Sequence, residues 1–383
     1  MRSFKRSVAA SLAAVLLFGA PALGKALNLN VKDGVLRNGE TPFVFVAYDT
    51  YGMLAEGAIP GIEQAFDINA FLDQVVAAGR GQKAITGVRI WLQFHWANAY
   101  FTFNGLPKTP TDTDRRQRYD FGLNVAYLDR LERFVAAANA RNLAVQLCLF
   151  DGCALEKDSA TRLRWENSPY NRVNNRDARA LANPQDFFKT SGPLWAVNAG
   201  LVDAVVARVG KYKNLVWEIM NEPDVSATGA SEDAVLGFHK AMATKLRSSL
   251  RIAGGSQVIA VNPGRKRLKD WALASSDVDL LSVHLSESVD VASWNFAQYL
   301  SKRPVVVSND GHSSGFAEVG ATTKARAASV LIRRVLAADG PKDEGRLHLE
   351  FLDNGMVKGY RTRDYDPRAN KAGTAVMNAL KTR

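Results

Sequence analysis

Asn221, Glu222 and Pro223 close a run, Leu215 to Met220, in which only Glu218 interrupts apolar residues. A carboxylic acid at the mouth of a buried strand can sit in a poorly solvated setting, keep its proton near neutral pH and pass it to a departing oxygen. Further polar residues stand at matching places in other apolar runs. They are Arg89 and Trp91 in 88–94, His284 at the end of 280–284, Asn309 and Asp310 after 304–308, and Glu350 in 347–352.

Other chemistries have weaker patterns. His95, His284, His312 and His348 are expected near strand ends, with Asp310 nearby, but no His-x-His or His-Glu-x-x-His spacing occurs, so neither metal nor cofactor is expected. Gly311-His312-Ser313-Ser314-Gly315 fits a nucleophile elbow, with His348 and Asp343 or Asp353 as conceivable partners. Several residues separate that elbow from the next helical pattern near Ala321, however, and an elbow has to enter its helix directly. Cys148 and Cys153 are the two cysteines. In an extended chain the five steps between them span roughly 16 Å, beyond disulfide reach, so two free thiols are expected.

The elements that must position these residues alternate. Short apolar runs are expected as strands at 43–48, 88–94, 143–150, 215–220, 258–261, 280–284, 304–308 and 347–352. Between them, Leu128, Leu131, Phe134, Val135 and Ala138 share one helical face, as do Leu201, Val205, Val206 and Val209, and Ala327, Val330, Leu331 and Val335. Strand–helix alternation repeated about eight times implies parallel strands. Several strands carry one aliphatic and one polar face: Arg89, Trp91 and Gln93 oppose Val88, Ile90 and Leu92, Gln146 and Cys148 oppose Val145 and Leu147, and His348 and Glu350 oppose Leu347 and Leu349. An open sheet covered on both faces would be apolar throughout. The expected fold is therefore α/β, a single (β/α)8 TIM barrel with a polar lumen. Short strands around Asp33-Gly34 and Asn38-Gly39 precede it. Long loops after strands 2 and 3, at 95–121 and 151–194, fall on the face where barrels build their clefts. They carry Trp96, Tyr100, Phe101, Trp165, Tyr170 and Trp195, which suit either stacking on sugar rings or packing of the loops themselves.

On Trp217-Glu218-Ile219-Met220-Asn221-Glu222-Pro223, at the fourth strand of eight, the chain resembles the clan A glycoside hydrolases, most closely the cellulase-like family 5 and its relatives. Gly87-Val88-Arg89-Ile90 is similar to that clan's arginine strand, and Ser282-Val283-His284 to a strand whose histidine lines the cleft, although Ser286 stands where an aromatic is usual. The resemblance covers about residue 27 to the C-terminus. It implies hydrolysis of an O-glycosidic bond in a β-linked polysaccharide or oligosaccharide. Glu222 would be the general acid/base, Asn221, Arg89 and His284 would orient the sugar, and Trp91 would be a stacking surface.

The seventh strand departs from the family. Where the family has a Glu nucleophile this chain has Asn309, in Pro304-Val305-Val306-Val307-Ser308-Asn309-Asp310-Gly311, and an amide cannot form the usual glycosyl ester. Hydrolysis by the common routes needs two carboxylates. If Val305 and Val307 face the helices, alternation puts Ser308 and Asp310 in the lumen, while the family alignment implies the opposite phase. Asp310 is the first candidate for the second carboxylate and Glu350 the second. Their plainer roles are an Asp310 that caps the turn before Gly311 and a Glu350 that pairs with Arg89. Without a second carboxylate, the chain would be a glycan-binding barrel.

Residues 1–24 read as a signal peptide: basic Arg2, Lys5 and Arg6, an apolar stretch from Val8 to Ala20, then Ala22-Leu23-Gly24 as small residues for cleavage. That implies a secreted or periplasmic protein with the barrel over 25–383, no membrane anchor, and a monomer. The formal charge of +11 falls to +8 without the three leader cations. It suits an anionic glycan or mere solubility, and no basic run interleaved with aromatics suggests nucleic acid.

Overall fold

The computed structural model describes residues 26–50, 67–79, 85–92, 101–103, 119–157, 164–223, 228–264, 266–284, 302–309 and 346–351. Three short antiparallel strands come first, β1 (Leu29–Lys32), β2 (Val35–Asn38) and β3 (Thr41–Pro42). Asp33 and Gly34 form the β1–β2 turn with both φ angles positive, at 56° and 70°, which is why an Asp-Gly pair stands there. Then follow β4 (Val46–Thr50), α1 (Ile68–Gly79), β5 (Gly87–Trp91), a hairpin of β6 (Phe101–Phe103) and β7 (Tyr119–Leu123), α2 (Val125–Ala140) and β8 (Ala144–Asp151). The chain continues through α3 (Arg164–Asn167), α4 (Pro193–Val209), β9 (Leu215–Asn221), α5 (Glu232–Ala253), β10 (Val258–Val261), α6 (Lys266–Ala274), β11 (Leu280–His284), β12 (Val305–Asn309) and β13 (Leu347–Phe351).

Eight parallel strands close in the order β4–β5–β8–β9–β10–β11–β12–β13 and back to β4. These are the eight runs expected from the sequence, in chain order, and the long connections follow β5 and β8 as expected. Alternation splits the strands between two apolar clusters. Val88, Val145, Leu215, Trp217, Val305 and Val307 join the outer one with α1, α2, α4 and α5. Ala47, Ala144, Val216, Val258, Leu280 and Val306 point inward, where Leu27, Leu29, Leu36 and Phe45 close the floor of the barrel from β1 and β2. Two ties hold that floor: the Leu29 N–H donates to the Lys213 carbonyl at 2.8 Å, and the Phe45 N–H donates to His348 Nδ1 at 3.0 Å.

The helices bury the faces their periodicity predicts. In α2, Leu128, Leu131, Phe134, Val135 and Ala138 are buried, and the Asn124 side chain caps the helix by accepting the Tyr127 N–H. In α4, Leu201, Val205, Val206 and Val209 are buried. The helix α5 begins on Ser231, which accepts the Ala234 N–H, with Glu232 and Asp233 in its first turn. The third helical face expected from the sequence, at 327–335, lies outside the described residues, as does the leader.

His239 on α5 is fully buried, with Nδ1 2.8 Å from the Val235 carbonyl, and burial lowers its pKa to about 4. In the unfolded chain an imidazole titrates near ~6.5. Between those two values the unfolded state binds a proton that the folded state refuses, so stability falls as the pH drops through this window, by roughly 1.4 kcal/mol per unit at most. Urea midpoints measured from pH 7 to pH 4 are expected to decline, with a visibly shallower decline in His239→Phe.

Candidate active site

The lumen holds a buried polar network assembled from five strands. Arg89 of β5 is fully buried and grips Glu218 of β9 with two hydrogen bonds, Nε to Oε2 at 2.7 Å and Nη2 to Oε1 at 2.9 Å. Its Nη1 donates to Asp49 of β4 at 3.3 Å, and Nη2 also donates to Asn221 Oδ1 at 2.9 Å. Gln146 of β8 donates to Glu218 at 2.9 Å and, more weakly, to Ser282 of β11 at 3.4 Å. Asp49, Arg89, Gln146, Glu218 and Ser282 sit on the inward phase of their strands, so alternation of an otherwise aliphatic strand brings the charges together. The Trp91 ring lies against the Arg89 guanidinium, 4.7 Å from its centroid.

Above this layer the strands change phase. On β9, Val216 and Glu218 face inward, but Ile219 and Met220 both pack outward, and Asn221 faces inward again. The partner strand β8 makes the same step: Leu149 and Phe150 both pack outward before Asp151 turns in. The ladder keeps one register through this stretch, from the pair Cys148–Glu218 to the pairs Phe150–Met220 and Asp151–Asn221. Because the two strands step together, the pairing survives. The result is Asn221 held in the lumen between Arg89 and Asp151, donating from Nδ2 to Asp151 Oδ1 at 3.1 Å.

Glu222 follows with φ 41°, a left-handed conformation that costs a non-glycine residue about 1–3 kcal/mol and breaks the strand at this point. Its carboxylate reaches the rim. Oε1 stands 3.2 Å from His284 Nδ1 on β11, and Oε2 accepts from the Cys153 thiol at 2.6 Å. The acid side chain is 23 % exposed and the histidine 11 %, so the pair borders solvent while the network beneath is closed. Cys153 lies in a short 3-10 turn (Gly152–Leu155) that Asp151 caps by accepting its N–H at 3.1 Å. A Cβ on Gly152 would stand 2.1 Å from the Glu222 carbonyl, so only glycine lets this turn approach the strained residue. Arg164 of α3, 4 % exposed, is ion-paired with Glu156, and its charge is felt at Cys153, Asp151 and Glu222.

Set beside the sequence expectations, Glu222 and His284 are brought together across the barrel mouth. Arg89 and Asn221, expected to orient a sugar, are fully buried, and their described partners are protein groups. Trp91, expected as a stacking surface, is 4 % exposed and packs on Arg89. Among the loop aromatics, Phe101, Tyr170 and Trp165 are buried, with Phe101 5.7 Å and Phe187 5.0 Å from the Tyr170 ring, so packing is their role. Trp96 and Tyr100 lie outside the described residues. Cys148 and Cys153 are free thiols, as expected, and the Cys148 thiol donates to the Phe150 carbonyl at 3.1 Å.

For the second carboxylate, Asp310 lies outside the described residues, as do His95, His312, Ser313, Asp343 and Asp353. Asn309 and Glu350 are placed by backbone alone: β12 keeps an unbroken register with β13, pairing Ser308 with Glu350 and Asn309 with Phe351. Among the described residues no three His, Cys, Asp or Glu side chains are grouped to hold a metal ion. Sequence reasoning missed Asp49, Asp151, Gly152, Cys153 and the role of Glu218. Asp49 and Glu218 had a signal, a lone carboxylate inside an aliphatic strand, whereas Cys153 became legible only once the 3-10 turn was seen.

Removing the guanidinium while keeping its bulk would leave the Asp49 and Glu218 carboxylates buried without their cation, at a cost of about 3–5 kcal/mol. Arg89→Met is therefore expected to lower the urea midpoint far more than an exposed substitution such as Arg251→Met, measured by far-ultraviolet circular dichroism.

No protein-family model and no curated protein sequence matches the chain. Among solved structures, the chain is similar to a glycoside hydrolase family 5 mannosidase from Rhizomucor miehei (TM-score 0.54, 9% identity, 93% of this chain and 99% of that one). It is also similar to the endo-β-1,4-mannanase from Thermotoga petrophila (TM-score 0.51, 15% identity, 88% and 76% covered). A third likeness is to an exo-β-1,4-mannosidase from Opitutaceae bacterium strain TAV5 (TM-score 0.51, 14% identity, 92% and 63% covered). At these identities the likeness is one of fold, and the shared fold is the (β/α)8 barrel.

Proposed function

We propose that this protein hydrolyses an O-glycosidic bond in a β-linked polysaccharide or oligosaccharide, with Glu222 as the general acid/base. The observation that carries the reading is the placement of Glu222: a strained acid at the end of the fourth barrel strand, partly open to solvent, with His284 on one oxygen and Cys153 on the other. Protonated, it would give its proton to the leaving oxygen, and as carboxylate it would take one from water. Asn221, braced between Arg89 and Asp151, fixes the backbone from which Glu222 projects. Arg89 then supports catalysis through Asn221 rather than by touching sugar. The three similar barrels are described as acting on mannosides or β-1,4-mannan, which makes β-1,4-linked mannan the first substrate to try.

Asp310 is assigned as the second carboxylate. Val306 is inward and Val305 and Val307 outward, so the alternation that the described part of β12 follows runs in phase with position 310, not 309. The amide at 309 agrees with this. Asp is one methylene shorter than Glu, which favours a wider separation from Glu222 and an inverting reaction, in which Asp310 activates water across a gap of about 6.5–9.5 Å. Glu350, paired in register with Ser308, is the alternative. A glycan-binding barrel is the second reading, and Asn309 in place of the family's Glu is what favours it.

Reducing-sugar release from β-1,4-mannan and other β-glycans tests the proposal. Glu222→Gln and Asp310→Asn are each expected to lower turnover at least ~100-fold with the fold intact, and Asn309→Ala to be milder. Full activity in Glu222→Gln refutes the acid assignment. Glycan binding without turnover in the unaltered protein selects the binding module. Loss of activity in Glu350→Gln but not Asp310→Asn transfers the second role to Glu350. Residues 1–24 are assigned as an export leader on their basic-then-apolar pattern. Sequencing the N-terminus of protein recovered outside the cytoplasm is expected to begin at Lys25, and an intact Met1 start there would remove the assignment.

A further inference from the structure

The Cys153 thiol is not accounted for by the chemistry above. It is 3 % exposed, it stands 2.6 Å from Glu222 Oε2, and it belongs to a turn built to bring it there. Two independent features hold that turn. Asp151 Oδ1 accepts both the Cys153 N–H and the Asn221 amide, linking the turn to the residue before the acid. Gly152 supplies the only side chain small enough for the turn to rest on the Glu222 carbonyl. On the far side, Arg164 is ion-paired with Glu156, and its charge opposes, without outweighing, the burial and the neighbouring carboxylates that hold the proton on Cys153.

We infer that Cys153 is a positioning residue for Glu222: its S–H donates to Oε2, holding that oxygen inward and leaving Oε1, beside His284, as the edge that exchanges a proton with substrate. The direction of the hydrogen bond follows from chemistry. Burial, then the charges of Glu222 and Asp151, push the thiol well above the usual thiol range, so it keeps its proton and serves as donor to a carboxylate. A donor on one oxygen stabilises the ionised form of the acid and restricts its rotation. The other thiol, Cys148, points at the Phe150 carbonyl and takes no part in this contact.

The inference rests on the reading of Glu222 as acid/base, and the test has one readout that depends on turnover and one that does not. The first is the pH profile of kcat/KM. Cys153→Ala removes a donor to the carboxylate and is expected to move the alkaline limb up by about half a unit to one unit, with kcat down about 2- to 10-fold. Cys153→Ser, which keeps a donor, is expected to return the limb most of the way, and Cys148→Ala to leave it in place. The second is the S–H stretching band of Cys153, identified by its loss in Cys153→Ala. It is expected to shift to lower frequency as Glu222 ionises and to stay fixed with pH in Glu222→Gln. A limb unmoved in Cys153→Ala, or a band that shifts with pH equally in Glu222→Gln, overturns the inference. A chain that cleaves no glycan but shows the Glu222-dependent band shift keeps the thiol–carboxylate pair and loses only the hydrolytic reading.

Discussion

A buried guanidinium must find acceptors for its protons inside the protein, and Arg89 of β5 finds them on β4 and, one strand beyond its other neighbour, on β9. Two of its partners, Asp49 and Glu218, are fully buried carboxylates, and a third is the Asn221 amide. Such a cluster is costly to desolvate and gains little stability over an apolar core, but it fixes geometry, because a shift of any one strand would leave a charge unpaired. The strands carrying Asp49, Arg89 and Glu218 are thereby locked in register at the level just below the rim, and Asn221 is locked with them.

Everything chemical at the rim follows from that lock and from the shared phase step of β8 and β9. Strict alternation from Glu218 would have turned Asn221 outward, toward the helices. By spending two residues on the outer face in both strands, the barrel turns Asn221 and Asp151 in together, and the next residue, Glu222, leaves the strand in a left-handed conformation. The strain is retained because the surroundings dictate it: Pro223 follows, Gly152 packs beneath the carbonyl, and the carboxylate is held from two sides. Along its described length β12 keeps consecutive pairs with β13 through Asn309.

The eight strands and the helical faces of α2 and α4 were legible because each depends on local periodicity: period two with a polar inner face, or a stripe repeating every three to four residues. The roles of particular residues were harder. Arg89 was expected at the sugar from the resemblance of its strand and Trp91 from its flat ring. In the folded chain they face each other, since a cation and an indole on the same side of one strand are near neighbours. The loop aromatics told a similar story. Phe101, Phe121, Tyr170 and Phe187 came from two separate loops and pack edge to face with one another, an arrangement that sequence order does not contain.

What the sequence determined by itself is the barrel, its polar lumen and the strand-end position of Glu222, since hydrophobic period and a seven-residue motif are properties of contiguous chain. Tertiary structure alone decided which polar groups are sealed below and which are offered to solvent above. It also decided that Asp151, at the end of β8, and Cys153, in the turn after it, neither with a signal of its own, meet Asn221 and Glu222 some seventy positions further on. The physical reason is that a hydrogen bond between side chains depends on separation in space, and closing eight strands into a barrel sets that separation across the ring, where no local pattern records it.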